Sequence, residues 1–193
     1  MIPGVGTRRR FSDLNEQQIL ALAISSEEDD ARIYRSYAER LRGDYPDTAQ
    51  VFDGMAVEED THRKALIALH RKRFGEVIPL IRREHVAGYY ARRPVWLLET
   101  LTLERIRDEA GAMEREAERF YLEAARRSTD ADTRKLLGDL AAAEAGHQHS
   151  AERLEREHLD DDSRADEDAQ AKRQFVLTWV QPGLAGLMDG SVS

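Results

Sequence analysis

The sequence predicts an all-α protein: a four-helix bundle in which one long crossover joins two antiparallel hairpins. Glycine and proline, which disfavour helix interiors, number only 12 and 5 among 193 residues and fall mainly between long segments. Within those segments apolar residues recur at steps of three and four, the period of an amphipathic helix. Two short turns and one long connection separate the four segments, and this order of connections predicts the topology.

The first hairpin is predicted to occupy residues 12–75. Its first helix begins at a cap formed by Ser12 and Asp13 and ends at Gly43. The second helix begins at Asp47 and Thr48, which follow a proline turn, and continues to the end of the hairpin.

The crossover and the second hairpin follow. The crossover is predicted at residues 76–95, with a short helix at residues 80–90. The third helix is expected to begin at residues 95–98 and to end at a turn over residues 128–133. The fourth helix then continues to His158, and we find no segment with the alternation of a strand.

Charge and composition exclude several classes of function. The formal net charge is −8, so nucleic acid is a poor candidate partner and cations are plausible ones. The sequence has no cysteine, which excludes disulfides, thiolate zinc sites, iron–sulfur clusters and thiol catalysis. No apolar run follows the arginines near the N-terminus, so a secretory signal is not expected. No stretch reaches the roughly 20 apolar residues of a membrane helix.

Two copies of the motif Glu-x-x-His carry the chemistry of the sequence. The first is Glu59 with His62 and the second is Glu144 with His147, and the second copy follows the first by 85 residues. Residues three apart share one face of a helix, so each motif presents a carboxylate and an imidazole to one point. Because the copies occupy matching positions in the two hairpins, they predict an internally repeated site.

The first helix of each hairpin supplies one more inward carboxylate. Glu27 and Glu114 lie on apolar stripes, and each is followed seven residues later by a tyrosine, Tyr34 and Tyr121 respectively. At about 1.5 Å per residue, the heights of all these side chains agree to within roughly one helical turn. We interpret the two tyrosines either as core aromatics or as hydrogen-bond donors to the ligand carboxylates.

These residues predict a site for two metal ions, with no catalytic residue separate from the ligands. The predicted ligands are Glu27, Glu59, His62, Glu114, Glu144 and His147. Oxygen and imidazole donors suit iron, and manganese or zinc can substitute. Two divalent ions would balance four carboxylates. The other histidines, His70, His85, His149 and His158, are predicted at the surface, and the roles of Glu118 and His149 stay open.

The pattern resembles the rubrerythrin branch of the ferritin-like superfamily over residues 12–158. The resemblance implies a ferritin-like fold and a di-iron site at the six predicted ligands. One position departs from the family pattern: rubrerythrins usually carry a further glutamate three residues after the third-helix ligand, where this chain has Ala117. The cysteines of a rubredoxin module are also missing. Both departures disfavour a peroxidase of the rubrerythrin type.

A more specific resemblance is to the erythrin–vacuolar-iron-transporter group, the membrane-bound ferritin A type. It rests on residues 21–24, 32–35 and 78–84, and on the C-terminal residues 175–193. It implies four parts: a tail at 1–11, a di-iron domain at 12–160, a charged linker at 161–174, and at 175–193 the start of a membrane domain that would continue beyond the last residue. An amphipathic C-terminal flap is the alternative interpretation of the last part.

In that group the ferritin-like domain serves iron export and protects against iron and oxidative stress. The resemblance implies a domain at the cytoplasmic face of the bacterial inner membrane that binds Fe(II) and hands it to the membrane domain, with ferroxidase activity left open. Two alternatives remain: a rubrerythrin-like peroxidase or ferroxidase that works alone, and a structural bundle without metal. We also expect a homodimer, in which exchange of hairpins between chains is one arrangement.

Overall fold

The computed structural model describes residues 8–87 and 102–158, with side chains described as far as residue 147. It contains four long helices, and the predicted all-α bundle is confirmed. The helices are α1 (Glu16–Leu41), α2 (Pro46–Phe74), α3 (Leu103–Arg127) and α4 (Ala131–His158). Helix α1 packs along α2 and α3 along α4, while contacts of α1 with α3 and of α2 with α4 join the two hairpins. None of the described helices combines the length and the apolarity needed to cross a membrane.

Helix α1 begins later than the sequence predicted. Its cap is Asn15, whose side chain accepts from the backbone N–H of Gln18 at 2.9 Å, while the Gln18 side chain accepts from the backbone N–H of Asn15 at 3.1 Å. The predicted cap at residues 12–13 is therefore wrong. Those residues belong to a 3-10 turn that buries Phe11 and Leu14 in the core, and the helix follows the turn.

The other helices begin and end at the following residues. Helix α2 has proline at its first position, without a side-chain cap from Asp47 or Thr48, and it ends at Gly75, whose φ of 83° suits glycine. Helix α3 begins after Thr102, whose hydroxyl accepts from the third helical N–H at 3.2 Å. The start predicted at 95–98 lies outside the described residues, and the helix that the structure describes begins at Leu103. Helix α4 is capped by Asp130.

The crossover contains a short strand rather than the predicted helix. Residues 83–85 form a 3-10 turn, and β2 (Val86–Ala87) pairs in parallel with β1 (Arg9–Arg10). The helix prediction at 80–90 is wrong up to residue 87, and its last residues lie outside the described part. The expectation of no strand is also wrong. The strand that contains the buried Val86 is only two residues long, and this is too short to show an alternation of apolar and polar residues.

Arg83 fixes the crossover against α1. Its guanidinium donates to Asp30 Oδ1 at 2.8 Å and to the backbone oxygen of Ser26 at 3.0 Å. The side chains of Arg83 and Asp30 are only 12% and 10% exposed. This contact lies within one helical turn of Glu27, so the crossover and the predicted ligand are held by the same part of α1.

The core consists of two apolar clusters on either side of a polar layer. One cluster includes Leu20, Leu66 and Phe120, and the other includes Phe52 and Ile106. On α1, α2 and α3 the predicted metal ligands lie between the two clusters. The clusters therefore enclose a layer of charged groups from both ends of the bundle and lower the local dielectric.

Candidate metal centre

All four helices contribute to one polar layer between the hairpins. Its members are Glu27 on α1, Glu59 and His62 on α2, Glu114 on α3, and Glu144 and His147 on α4. The four glutamates are 1–3% exposed, and the side chains of the two histidines are 13% and 11% exposed. The structure thus brings together all six residues that spacing predicted. Metal binding by them stays a prediction.

The six side chains form two overlapping groups. Within each group the possible ligand atoms lie within 4.8 Å of one another. The first group consists of Glu27, Glu59, His62 and Glu144, and the second of Glu59, Glu114, Glu144 and His147. Glu59 and Glu144 belong to both. Two neighbouring ions that share two carboxylates would fit this arrangement.

The histidines face the carboxylates through Nδ1. In the first group His62 Nδ1 lies 3.4 Å from Glu59 Oε2 and 3.4 Å from Glu144 Oε1. In the second, His147 Nδ1 lies 3.4 Å from Glu114 Oε2 and 3.9 Å from Glu144 Oε2. The two rings are nearly parallel, at an angle of 17° with their centroids 6.0 Å apart. Each hairpin therefore presents one imidazole nitrogen to its own group of oxygens.

The donor atoms of this layer fit metal ions because they have no hydrogen-bond partner. The buried atoms in this state are Glu27 Oε2, His62 Nδ1, Glu114 Oε2, Glu144 Oε1 and His147 Nδ1. A buried polar atom without a partner costs about 1–3 kcal/mol. Cations would satisfy all five at once, and oxygen with imidazole nitrogen is a donor set that suits iron or manganese.

The two tyrosines hold glutamates of the opposite hairpin. The hydroxyl of Tyr34 donates to Glu114 Oε1, and the hydroxyl of Tyr121 donates to Glu27 Oε1. Both tyrosines are 1% exposed. Each bond uses Oε1 of its glutamate, so that Oε2 is the oxygen that faces the other ligands. The hydrogen bonds repeat across the two hairpins as the sequence repeat does.

Burial makes two of the glutamates retain their protons. It raises the pKa of Glu59 to about 11, and the neighbouring carboxyl group of Glu27 adds to the effect. It raises the pKa of Glu144 to about 9, although the nearby imidazole of His62 opposes the shift. For Glu27 burial acts in the same direction, but the nearby side chains of Glu59 and His62 outweigh it and lower its pKa. Glu59 and Glu144 are therefore protonated at neutral pH without metal.

The histidines also carry protons in the metal-free layer. Burial alone would lower the pKa of an imidazole, but the nearby carboxyl groups of Glu144 and Glu27 raise the pKa of His62 to about 12. The carboxyl group of Glu114 likewise outweighs burial and raises the pKa of His147 to about 9. Protons thus occupy the layer where cations would replace them.

Two further residues on α2 make contacts in or near this layer. Glu58 accepts a hydrogen bond from His147 Nε2. The only sequence signal for this contact is that Glu58 precedes Glu59 directly. His70 is 0% exposed and packs against Phe74 at 5.5 Å between ring centroids. Its prediction was wrong because it follows Leu66 by four residues on the inward face of α2.

The remaining predictions of this kind have different outcomes. His85 is exposed, as predicted. Glu118 is half-buried on α3 and belongs to neither group of ligand atoms. The side chains of His149 and His158 lie outside the described residues.

Comparisons with known proteins agree with this geometry. A sequence model of the family described as Rubrerythrin matches residues 18–155, a range that contains all six predicted ligands. A hypothetical protein of Pyrococcus furiosus has a similar structure, with a TM-score of 0.59 and 24% identity over 74% of this chain and 89% of that one. A Thermotoga maritima protein described as ferritin-like and diiron-carboxylate has a TM-score of 0.56 and 23% identity, over 76% and 97%. Among curated proteins no match is found.

Proposed function

The chain belongs to the rubrerythrin family, and from that premise we propose that its bundle binds two iron ions between the hairpins. The observation that carries the proposal is the pair of overlapping ligand groups that share Glu59 and Glu144. Glu27 and His62 would complete one metal position, while the second would be completed by the Glu114 and His147 side chains. Iron, rather than manganese or zinc, is favoured by the family.

The roles of the surrounding residues follow from their contacts. Each bound Fe(II) could give up one electron, and dioxygen or peroxide would accept the electrons. Tyr34 and Tyr121 hold Oε1 of Glu114 and Glu27, so the other carboxylate oxygen stays turned toward the metal positions. The apolar clusters on both sides exclude water from the layer. The protons that Glu59 retains without metal would leave when a cation binds.

We further propose that this domain handles iron for export across a membrane, as cargo that it binds and passes on. The support is the sequence resemblance of residues 21–24, 32–35 and 78–84 to the erythrin–vacuolar-iron-transporter group. The proposed linker at 161–174 and membrane-domain start at 175–193 lie outside the described residues. Placement at the cytoplasmic face of an inner membrane, protection from oxidative stress, and a homodimer belong to the same proposal, and light scattering tests the last.

A peroxidase of the rubrerythrin type is the weaker proposal. At the position where that reaction would use a further glutamate, Ala117 packs against the apolar cluster. Rapid turnover of peroxide with an external electron donor would support the peroxidase proposal. Oxidation of Fe(II) by dioxygen needs no residue beyond the six predicted ligands and stays compatible with the site.

The test is an anaerobic titration with Fe(II), followed by addition of oxygen. We expect two ions per chain in the wild type, and loss of binding when Glu59→Ala and Glu144→Ala are combined, since both ions would lose a shared ligand. Glu39→Ala is the matched control, because Glu39 is an exposed acid on α1 about 18 Å along the helix from Glu27. Unchanged stoichiometry in the double variant would contradict the proposed di-iron site at this layer, and absence of binding by the wild type would leave a structural bundle. Formation of Fe(III) after oxygen addition distinguishes a ferroxidase from a domain that only binds iron.

A further inference from the structure

The two halves of the metal centre differ at the position that precedes the glutamate of each Glu-x-x-His motif. The sequence repeats at 85 residues, so the position before Glu59 corresponds to the position before Glu144. The first position holds Glu58 and the second holds Ala143. The side chain of Glu58 is 58% exposed, unlike the buried glutamates beside it. The repeat that relates Glu59 to Glu144 and His62 to His147 therefore has no second copy of the Glu58 carboxylate.

Glu58 reaches from α2 to the histidine of the other hairpin. His147 Nε2 donates to Glu58 Oε2, and this contact joins residues 89 positions apart. A histidine that donates through Nε2 keeps the lone pair of a neutral ring on Nδ1. Nδ1 is the atom of His147 that faces Glu114 and Glu144 and lacks a hydrogen-bond partner. Glu58 therefore selects the tautomer in which His147 can bind a metal ion.

His62 has no such support. Its Nδ1 also faces the carboxylates, but Ala143 at the corresponding position has no polar side chain. Among residues 8–87 and 102–147, the carboxylates within salt-bridge distance of His62 are those of Glu27, Glu59 and Glu144, and each contact is made through Nδ1. Within the described residues, His147 is thus the imidazole whose second ring nitrogen, Nε2, is held by a carboxylate.

We propose that Glu58 is a positioning residue that makes the two metal positions unequal, so that the position of His147 and Glu114 binds its ion more tightly and fills first. This inference rests on the proposed two-metal function. A carboxylate that accepts the second N–H of a metal-bound histidine typically changes metal affinity by about 10–100-fold. The residue acts through His147 and touches no metal position itself.

The test is an anaerobic Co(II) titration of the full chain, followed by visible absorption. In the wild type we expect two binding steps of different affinity. In Glu58→Ala the tighter step should weaken by about 10–100-fold and the weaker step should stay unchanged. Glu58→Gln should fall between the two, because its amide oxygen still accepts the N–H but carries no charge. Glu39→Ala, which removes an exposed acid far from the layer, should leave both steps unchanged.

A spectroscopic signature separates positioning from a general loss of structure. In the Co(II)-loaded protein the imidazole N–H protons are shifted by the metal in the NMR spectrum. We expect one slowly exchanging N–H signal, from His147, in the wild type, and its rapid exchange with solvent in Glu58→Ala. Persistence of the slow signal, or equal weakening of both steps, would overturn the inference. Binding of fewer than two ions by the wild type would instead overturn the two-metal function and this inference with it.

Discussion

Metal loading should release protons, because cations and protons compete for the same buried atoms. Without metal the pKa of Glu59 is about 11, that of Glu144 about 9, that of His62 about 12 and that of His147 about 9. Each value is at least about two pH units above neutral, so each residue holds a proton at pH 7. Ligation requires ionised carboxylates and neutral imidazoles. Filling both metal positions at pH 7 should therefore release about four protons per chain.

Calorimetry measures this number directly. Metal-free protein is titrated with Mn(II) or Zn(II) in several buffers at pH 7 that differ in their enthalpy of protonation. The slope of the observed enthalpy against the buffer enthalpy gives the number of protons released. We expect a slope of about four for the wild type and for Glu39→Ala, which keeps all the protonated residues. A slope near zero with two ions bound would refute the description of the metal-free layer.

Three further predictions concern stability. The free energy of unfolding of the metal-free protein should fall as pH rises from 7 to 9. The fall is about 1.4 kcal/mol per pH unit for each proton that the folded chain keeps and the unfolded chain has lost. Denaturant unfolding at fixed ionic strength measures this change, and a rise in stability would contradict the prediction. Tyr121→Phe should lower the free energy of unfolding by about 1–2 kcal/mol, since buried Glu27 loses a hydrogen bond, and an unchanged urea midpoint would contradict this. Arg83→Met should lower the free energy of unfolding by about 3–5 kcal/mol, because it removes the guanidinium from buried Asp30. The control Arg82→Met, at a more exposed contact, should lower it by less than about 1 kcal/mol, and thermal unfolding measures both.

The bundle and its polar layer could be predicted from the sequence because both follow from the periodicity of the helices. Spacing of three within Glu-x-x-His places Glu59 and His62 on one face, and the repeat gives the same for the second hairpin. The apolar stripe that carries Glu27 determines which way that side chain points. These are properties of single helices, and antiparallel packing at equal heights then brings the side chains together.

Contacts that join distant parts of the chain could not be predicted from the sequence. Asn15 and the predicted cap at residues 12–13 carry similar local signals, and burial of Phe11 decides between them. Glu58 occupies an exposed helical position, and its place directly before Glu59 is too weak a signal to identify His147 as its partner. The strand at Val86 depends on a partner near the N-terminus and is too short to produce a pattern.

The central claim is that two metal ions share Glu59 and Glu144 between the hairpins. A crystal structure of the Fe(II)-loaded protein, with anomalous scattering recorded at the iron edge, tests it most directly. We expect two iron peaks per chain, one beside Glu27 and His62 and the other beside Glu114 and His147, with both shared glutamates in contact with both ions. A single peak, or peaks outside this layer, would contradict it.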